Sequence, residues 1–251
     1  MQTRIKTEQE LKAMRASGKI LATILNYLAK NLSEGMSTKD ISNLAASELR
    51  SMGGKPTFLN YQGFPDVICI SINNEVVHGI PRKNKIIKNG DIISLDFGVT
   101  YDGMITDGAI SLVLGKTQDS RTDDLVKITS QSLDAGIKVL KDGVRVGDIS
   151  SAIQSVLDSF KYGIVRDLVG HGVGHQLHED PNIPNYGSKG TGPILKSGMT
   201  VAIEPMATLG GDDVIFSNDG WTVMTADGSL SAHFENTVLV TEKGFEILTK
   251  I

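Results

Sequence analysis

The sequence predicts a single α+β domain in which helices cover one antiparallel sheet and the two halves of the chain repeat each other. EGMSTKDIS at 34–42 resembles DGVRVGDIS at 142–150, and KNGDIISLD at 88–96 resembles KSGMTVAIE at 196–204; both pairs are offset by 108 residues. Each half consists of two predicted helices followed by strands. One half alone would expose a sheet face, so we expect the halves, about 1–115 and 116–251, to share one sheet and one core.

Helix signals occur twice in each half. The first helix is predicted over 7–32 and opens with a capping box formed by Thr7 and Glu10. The second begins at Ser37 and stops at Gly53-Gly54. In the second half, apolar residues at helical spacing cover 125–140 and 149–160.

A β-hairpin is predicted over 92–114, with Asp102-Gly103 as its two-residue turn. This turn places Gly98 opposite Asp107, so that Asp96 lies one diagonal step from Asp107 on the same face. The flanking residues are apolar, and two carboxylates in such a setting repel each other and are poorly solvated. We therefore expect a shared proton or a metal ion between them.

Two further acids occur in strand-like surroundings. The repeat aligns Glu204, in VAIEP, with Asp96, and Glu235 opens the β-branched segment ENTVLV. Four acids gathered at a pseudo-symmetry axis would require cations. Two divalent ions about 3.5–4 Å apart, bridged by carboxylates, are a common arrangement for amide and ester hydrolysis.

Three of the five histidines lie in GHGVGHQLHEDP at 170–181. This segment is neither a dinucleotide-binding loop nor an HExxH zinc motif. His171 and His178 are an odd number of residues apart, so a continuous strand would point them to opposite faces. We expect one of the two to bind metal and the other to face substrate.

Aromatic residues and one further histidine leave two interpretations open. Phe58, Tyr61 and Phe64 lie in a loop at 54–66, where simple loop packing is favoured over a pocket wall. His78 follows an apolar run, where a lone histidine is more often structural than catalytic.

Composition narrows the class of protein. A chain of 251 residues with 40% hydrophobic residues can bury a sizeable core. The formal net charge of −4 indicates neither nucleic-acid nor membrane-surface binding. Cys69 is the single cysteine, which excludes an internal disulfide and suits a reducing compartment. The N-terminus lacks the apolar core of a signal peptide, so we expect a cytoplasmic protein.

Taken together, the motifs resemble those of the type I methionine aminopeptidases of bacteria, along essentially the whole chain. They are CISINNEVVHGIP, LDFGVTYDGMITD, GHGVGHQLHEDP, VAIEP and HFENTV, in that order. The resemblance implies the pita-bread fold, a curved antiparallel sheet covered by helices. It also implies two divalent metal ions, and the oxygen-rich ligand set suits Co(II), Mn(II) or Fe(II).

Residue roles follow from the same resemblance. Asp107 and Glu235 would bridge the two ions, Asp96 would chelate one, and His171 with Glu204 would hold the other. Glu204 would also transfer a proton, and His78 and His178 would contact the scissile amide. The methionine side chain would lie among Tyr61, Phe64, Cys69 and Trp221. Leu177 and His233 depart from the pattern that is common in the family.

The expected reaction is removal of the N-terminal methionine from new polypeptides with a small second residue, by a monomer that meets its substrate near the ribosome. Two alternatives remain open. An Xaa-Pro peptidase of the same fold usually carries an additional N-terminal domain, for which this chain has no room. A non-catalytic binding protein would be expected to have lost some of the five ligands.

Overall fold

The computed structural model describes residues 4–117 and 119–250, so the outermost residues of the predicted domain, Met1 and Ile251, lie outside the described part. Within it the chain forms four α-helices and fifteen strands. The helices are α1 (Glu8–Asn31), α2 (Thr38–Ser51), α3 (Ser120–Lys138) and α4 (Val146–Ser159). The strands of the first half are β1 (Lys55–Pro56), β2 (Cys69–Ile72), β3 (Glu75–Val77), β4 (Ile92–Tyr101) and β5 (Met104–Val113). Those of the second half are β6 (Gly163–Ile164), β7 (Gly170–Gly172), β8 (Glu179–Ile183), β9 (Thr200–Ile203), β10 (Met206–Thr208), β11 (Val214–Phe216), β12 (Val223–Thr225), β13 (Ser231–His233), β14 (Glu235–Val240) and β15 (Phe245–Ile247).

The helix starts in the first half follow their local signals. Thr7 caps α1 in a complete capping box with Glu10, and Ser37 caps α2 with Asp40 in the same way. The prediction for α3 placed its start too late. The helix begins at Ser120 because Asp119 accepts the backbone N–H of Arg121, and this polar first turn carries no apolar periodicity.

One antiparallel sheet contains strands from both halves. Its main path runs β1-β4-β5-β14-β9-β7-β8, with β2 also paired to β4 and β15 to β14. Two three-stranded sheets, β13-β10-β6 and β11-β12-β3, stand beside it. The halves join in the large sheet through the pairing of β5 with β14, and in one small sheet through the pairing of β3 with β12.

The internal repeat is present in the three-dimensional structure. Ser37 bridges to Ile86, and the residues 108 positions later, Arg145 and Ile194, form the corresponding bridge. The equivalent helices α2 and α4 each have 14 residues. Each half therefore forms the same helix-and-strand unit, as the sequence predicts.

The core follows this division. In the first half, α1 and α2 pack on β2, β4 and β5 through a cluster that includes Leu21, Ile41 and Phe97. In the second half, α3 and α4 pack through Leu125, Ile149 and Val201. No helix of the described chain has the length and apolar character needed to cross a membrane.

Candidate active site

The hairpin register brings two acids to one face of the sheet. Gly98 pairs with Asp107 and Asp96 with Ala109, which confirms the predicted pairing. The turn residues Asp102 and Gly103 have φ angles of 47° and 76°, the left-handed pair that a tight hairpin turn requires. Asp96 and Asp107 are 7% and 4% exposed, so both carboxyl groups are held in the protein interior.

The strands β5 and β14 separate beside Asp107. Their ladder ends at the pair formed by Asn236 and Gly108. At the next position the hydroxyl of Thr237 donates to the carbonyl of Asp107 at 2.8 Å and accepts its N–H at 2.9 Å. A side chain thus replaces the backbone ladder and fixes Asp107 where the two halves meet.

Three more groups converge on this point. Glu235 opens β14, Glu204 follows β9, and His171 lies on β7 next to β9. Asp107, His171 and Glu235 each offer a ligand atom, and these atoms lie within 4.8 Å of one another. Nε2 of His171 is 3.4 Å from Oε1 of Glu204. Asp96 lines the same cavity, so the structure brings all five predicted ligands together.

The electrostatics of these acids are unfavourable without a cation. Burial raises the pKa of Asp107 to about 7. Burial, reinforced by neighbouring carboxylates, raises the pKa values of Asp96, Glu204 and Glu235 well above their ordinary range. Among the described residues, Oδ1 of Asp96 and Oε1 of Glu235 are buried without a hydrogen-bond partner. Burial also lowers the pKa of His171 to about 3, which keeps its ring neutral. Such a donor set suits hard divalent cations.

The acids lie at one side of a cavity of about 160 Å³ whose remaining walls are mainly aromatic and apolar side chains. The walls include Phe58, Tyr61, Gln62, Phe64, Cys69, Leu177 and Trp221. The aromatic rings also pack on one another, with the centroids of Phe64 and Trp221 5.2 Å apart. Loop packing alone is therefore the wrong interpretation of Phe58, Tyr61 and Phe64, because the same rings pack together and form the wall.

His78 and His178 both border the cavity. His171 and His178 do not share a continuous strand, because a turn separates β7 from β8. The opposite-face argument therefore does not apply, and their ring centroids lie 4.4 Å apart. Nδ1 of His178 is 2.9 Å from the hydroxyl of Tyr61. His78 has a φ of 59°, and burial together with His178 lowers its pKa to about 4. Its place beside the acids argues against a purely structural histidine.

Sequence reasoning missed two groups that the structure places at the site. Gln62 lines the cavity, although its loop carries no motif that marks it. Thr237 holds Asp107 from a position 130 residues away, and only the pairing of distant strands could have identified it. His233 departs from the family pattern, and its Nε2 lies 3.8 Å from Oε2 of Glu204.

Comparison with known proteins agrees with this geometry. Residues 12–242 match the metallopeptidase family M24. The chain is 45% identical over 245 residues to a methionine aminopeptidase of Clostridium acetobutylicum and 44% identical over 248 residues to methionine aminopeptidase 1 of Bacillus subtilis, with 98% of each chain covered in both cases.

Solved structures show the same relationship. A methionine aminopeptidase of Thermotoga maritima superposes with a TM-score of 0.97 at 46% identity, covering 99% of this chain and all of the other. A prolidase of Pyrococcus furiosus, at 22% identity and a TM-score of 0.78, shares the fold over 98% of this chain and 65% of its own. The pita-bread fold is thereby confirmed. The chain belongs to the metallopeptidase family M24, whose chemistry depends on divalent metal ions.

Proposed function

We propose that this protein is a methionine aminopeptidase that removes the N-terminal methionine from peptides and new polypeptides by metal-dependent hydrolysis. The observation that carries the proposal is the buried cluster of four carboxyl groups and one neutral imidazole at one side of a small cavity that aromatic side chains also line. Relatives at 44–45% identity that match almost the whole chain bear the same name. The whole chain, both half-repeats together, acts as one catalytic domain, because residues of both halves form the cluster.

Five residues would hold two divalent ions: Asp107 and Glu235 between them, Asp96 at one, and His171 with Glu204 at the other. The raised pKa values of the carboxyl groups show how strongly this pocket disfavours uncompensated negative charge. When bound, such ions would polarise the scissile carbonyl as Lewis acids and would lower the pKa of a water molecule to near neutrality. Co(II), Mn(II) and Fe(II) fit an oxygen-rich ligand set without thiolates.

Glu204 accepts a proton from the attacking water and returns it to the leaving amine. Its side chain is 13% exposed and lines the cavity, while most of it remains buried. His78 and His178 border the same cavity and contact the scissile amide. If the Tyr61 hydroxyl donates to Nδ1 of His178, the proton of that imidazole resides on Nε2, where it can be donated to the oxyanion.

The cavity selects the side chain to be removed. Tyr61, Phe64, Cys69 and Trp221 present apolar surface, and burial raises the pKa of the Cys69 thiol so that it stays neutral. A volume of about 160 Å³ suits one flexible apolar side chain such as methionine. Tyr61 also contacts His178, so it connects the pocket wall with the catalytic group.

The alternatives are less well supported. The prolidase and Xaa-Pro dipeptidase structures share the fold at only 21–22% identity. A non-catalytic binding role does not explain a complete set of five converging ligands. The finer proposal is a cytoplasmic monomer with two ions that meets new polypeptides near the ribosome and prefers a small second residue.

Hydrolysis of two peptides tests the proposal. One peptide begins Met-Ala and the other Ala-Pro, and each is incubated with EDTA-treated protein before and after Mn(II) or Co(II) is added. We expect metal-dependent release of methionine from the first peptide alone. Cleavage before proline would move the protein to the Xaa-Pro class, and cleavage of neither peptide with any metal would refute catalysis.

A further inference from the structure

The loop between His171 and His178 is hydrogen-bonded to the N-terminal segment of the chain. We propose that Lys6 and Glu10 are positioning residues of the active site: by binding Glu179 and His175 they fix the turn at 173–177 and so hold His178 in the cavity. This inference rests on the proposed contact of His178 with the substrate.

The first connection is the buried ion pair between Lys6 and Glu179. Nζ of Lys6 donates to Oε2 of Glu179 at 3.1 Å, and the side chains are 0% and 1% exposed. The other oxygen of Glu179, Oε1, accepts the backbone N–H groups of His175 and Gln176 at 2.8 and 3.0 Å. Glu179 thus joins the N-terminal segment to two backbone donors of the turn. A buried carboxylate with this many donors has little freedom to move.

The second connection is the contact between the imidazole of His175 and the carboxylate of Glu10. Its Nε2 lies 2.7 Å from Oε1 of Glu10, across 165 residues of sequence. The other oxygen of Glu10 accepts the backbone N–H of Thr7 in the capping box of α1, at 2.7 Å. The start of the first helix is therefore bonded directly to the turn, and movement of one requires movement of the other.

The turn packs closely against the side chain of Lys6 at Gly174. Gly174 has a φ of 144°, and a Cβ placed there would lie 2.5 Å from Cε of Lys6. The carbonyl of Gly174 accepts the N–H of Ile105 on β5, at 2.8 Å, which ties the turn to the hairpin that carries Asp107.

His178 follows this turn and immediately precedes Glu179. Its own side chain is exposed to the cavity, where it contacts the hydroxyl of Tyr61 and the ring of His171. These two contacts leave the position of the His178 backbone to the hydrogen bonds at 173–179. A displacement of about 1 Å at a group that contacts the transition state is enough to cost up to a hundredfold in rate.

Steady-state kinetics of His175→Ala and Glu10→Ala on a Met-Ala peptide test the inference, together with metal content and melting temperature. We expect kcat to fall about tenfold while KM changes less than about twofold, because the reacting geometry is disturbed and the methionine pocket is not. His175→Gln should recover most of the loss, since its side-chain amide can donate to Glu10. The double variant should lose no more than either single variant, because the two residues form one contact.

Glu8→Ala is the matched control, because Glu8 is an exposed carboxylate in the same first turn of α1. Values of kcat for His175→Ala and Glu10→Ala equal to that of Glu8→Ala would overturn the inference. The same holds if His175→Gln loses as much as His175→Ala. His178→Ala distinguishes a failure of the proposed function from a failure of this inference. A normal kcat for His178→Ala would refute the proposed role of His178 itself. A loss of kcat in His178→Ala, with no loss in His175→Ala or Glu10→Ala, would refute only the positioning role.

Discussion

Thr237→Val is expected to damage the metal site without removing any ligand. The substitution keeps the shape of the side chain and deletes the hydroxyl that bonds both backbone polar groups of Asp107, at 2.8 and 2.9 Å. Thr237 is 0% exposed, so water cannot readily replace the lost hydroxyl. Asp107 is left with a buried N–H and a buried carbonyl that have lost this partner.

The magnitude follows from that loss. Each buried group left without its partner costs about 1–3 kcal/mol, so with partial relaxation the metal-free protein should lose about 2–4 kcal/mol. For a chain of this size that corresponds to a melting temperature about 5–15 °C lower. Groups that orient metal ligands typically change metal affinity by about 10- to 100-fold, and we expect a loss in that range.

Thermal unfolding of the EDTA-treated protein and calorimetric titration with Mn(II) are the assays. Thr129→Val is the matched control: Thr129 is also 0% exposed, but its hydroxyl donates only to the carbonyl of Leu125, at 2.7 Å, within α3. That carbonyl keeps its helical N–H partner, so the control should lose less than about 1 kcal/mol. If Thr237→Val and Thr129→Val give the same Mn(II) affinity, Thr237 does not position Asp107 and the reasoning is wrong.

The remaining predictions concern the site itself. Asp107→Asn should lower metal content and activity by orders of magnitude while circular dichroism shows an intact fold; near-normal turnover would exclude its role as a ligand. His78→Ala should retain metal, measured by atomic emission, and lose rate; loss of the metal would make His78 a ligand. Trp221→Ala should weaken selectivity for methionine more than metal binding, and equal losses would indicate a structural tryptophan. Metal affinity should weaken by about tenfold or more per unit as pH falls from 8 to 6, because carboxyl groups with raised pKa values, about 7 for Asp107, retain protons that the metal must displace. An affinity independent of pH would contradict those protonation states.

Short-range features of the site were predictable because adjacent residues encode them. The Asp102-Gly103 turn determines the register of β4 and β5, and the register alone places Asp96 and Asp107 on one face. The capping boxes at Thr7 and Ser37 mark helix starts because their hydrogen bonds span three residues. The α3 start was missed because a polar first turn has no apolar pattern to detect.

The sequence by itself predicted the repeat and the two-acid hairpin, and its resemblance to a known family pointed to the five residues that converge on the cavity. Tertiary structure decided how they meet: the position of Thr237 beside Asp107, the closeness of His171 and His178, and the bonds from Lys6 and Glu10 to the turn. These contacts join residues up to 173 positions apart or depend on a turn between strands. No local propensity encodes such pairings, because they exist only after the two halves have packed their sheets and helices together.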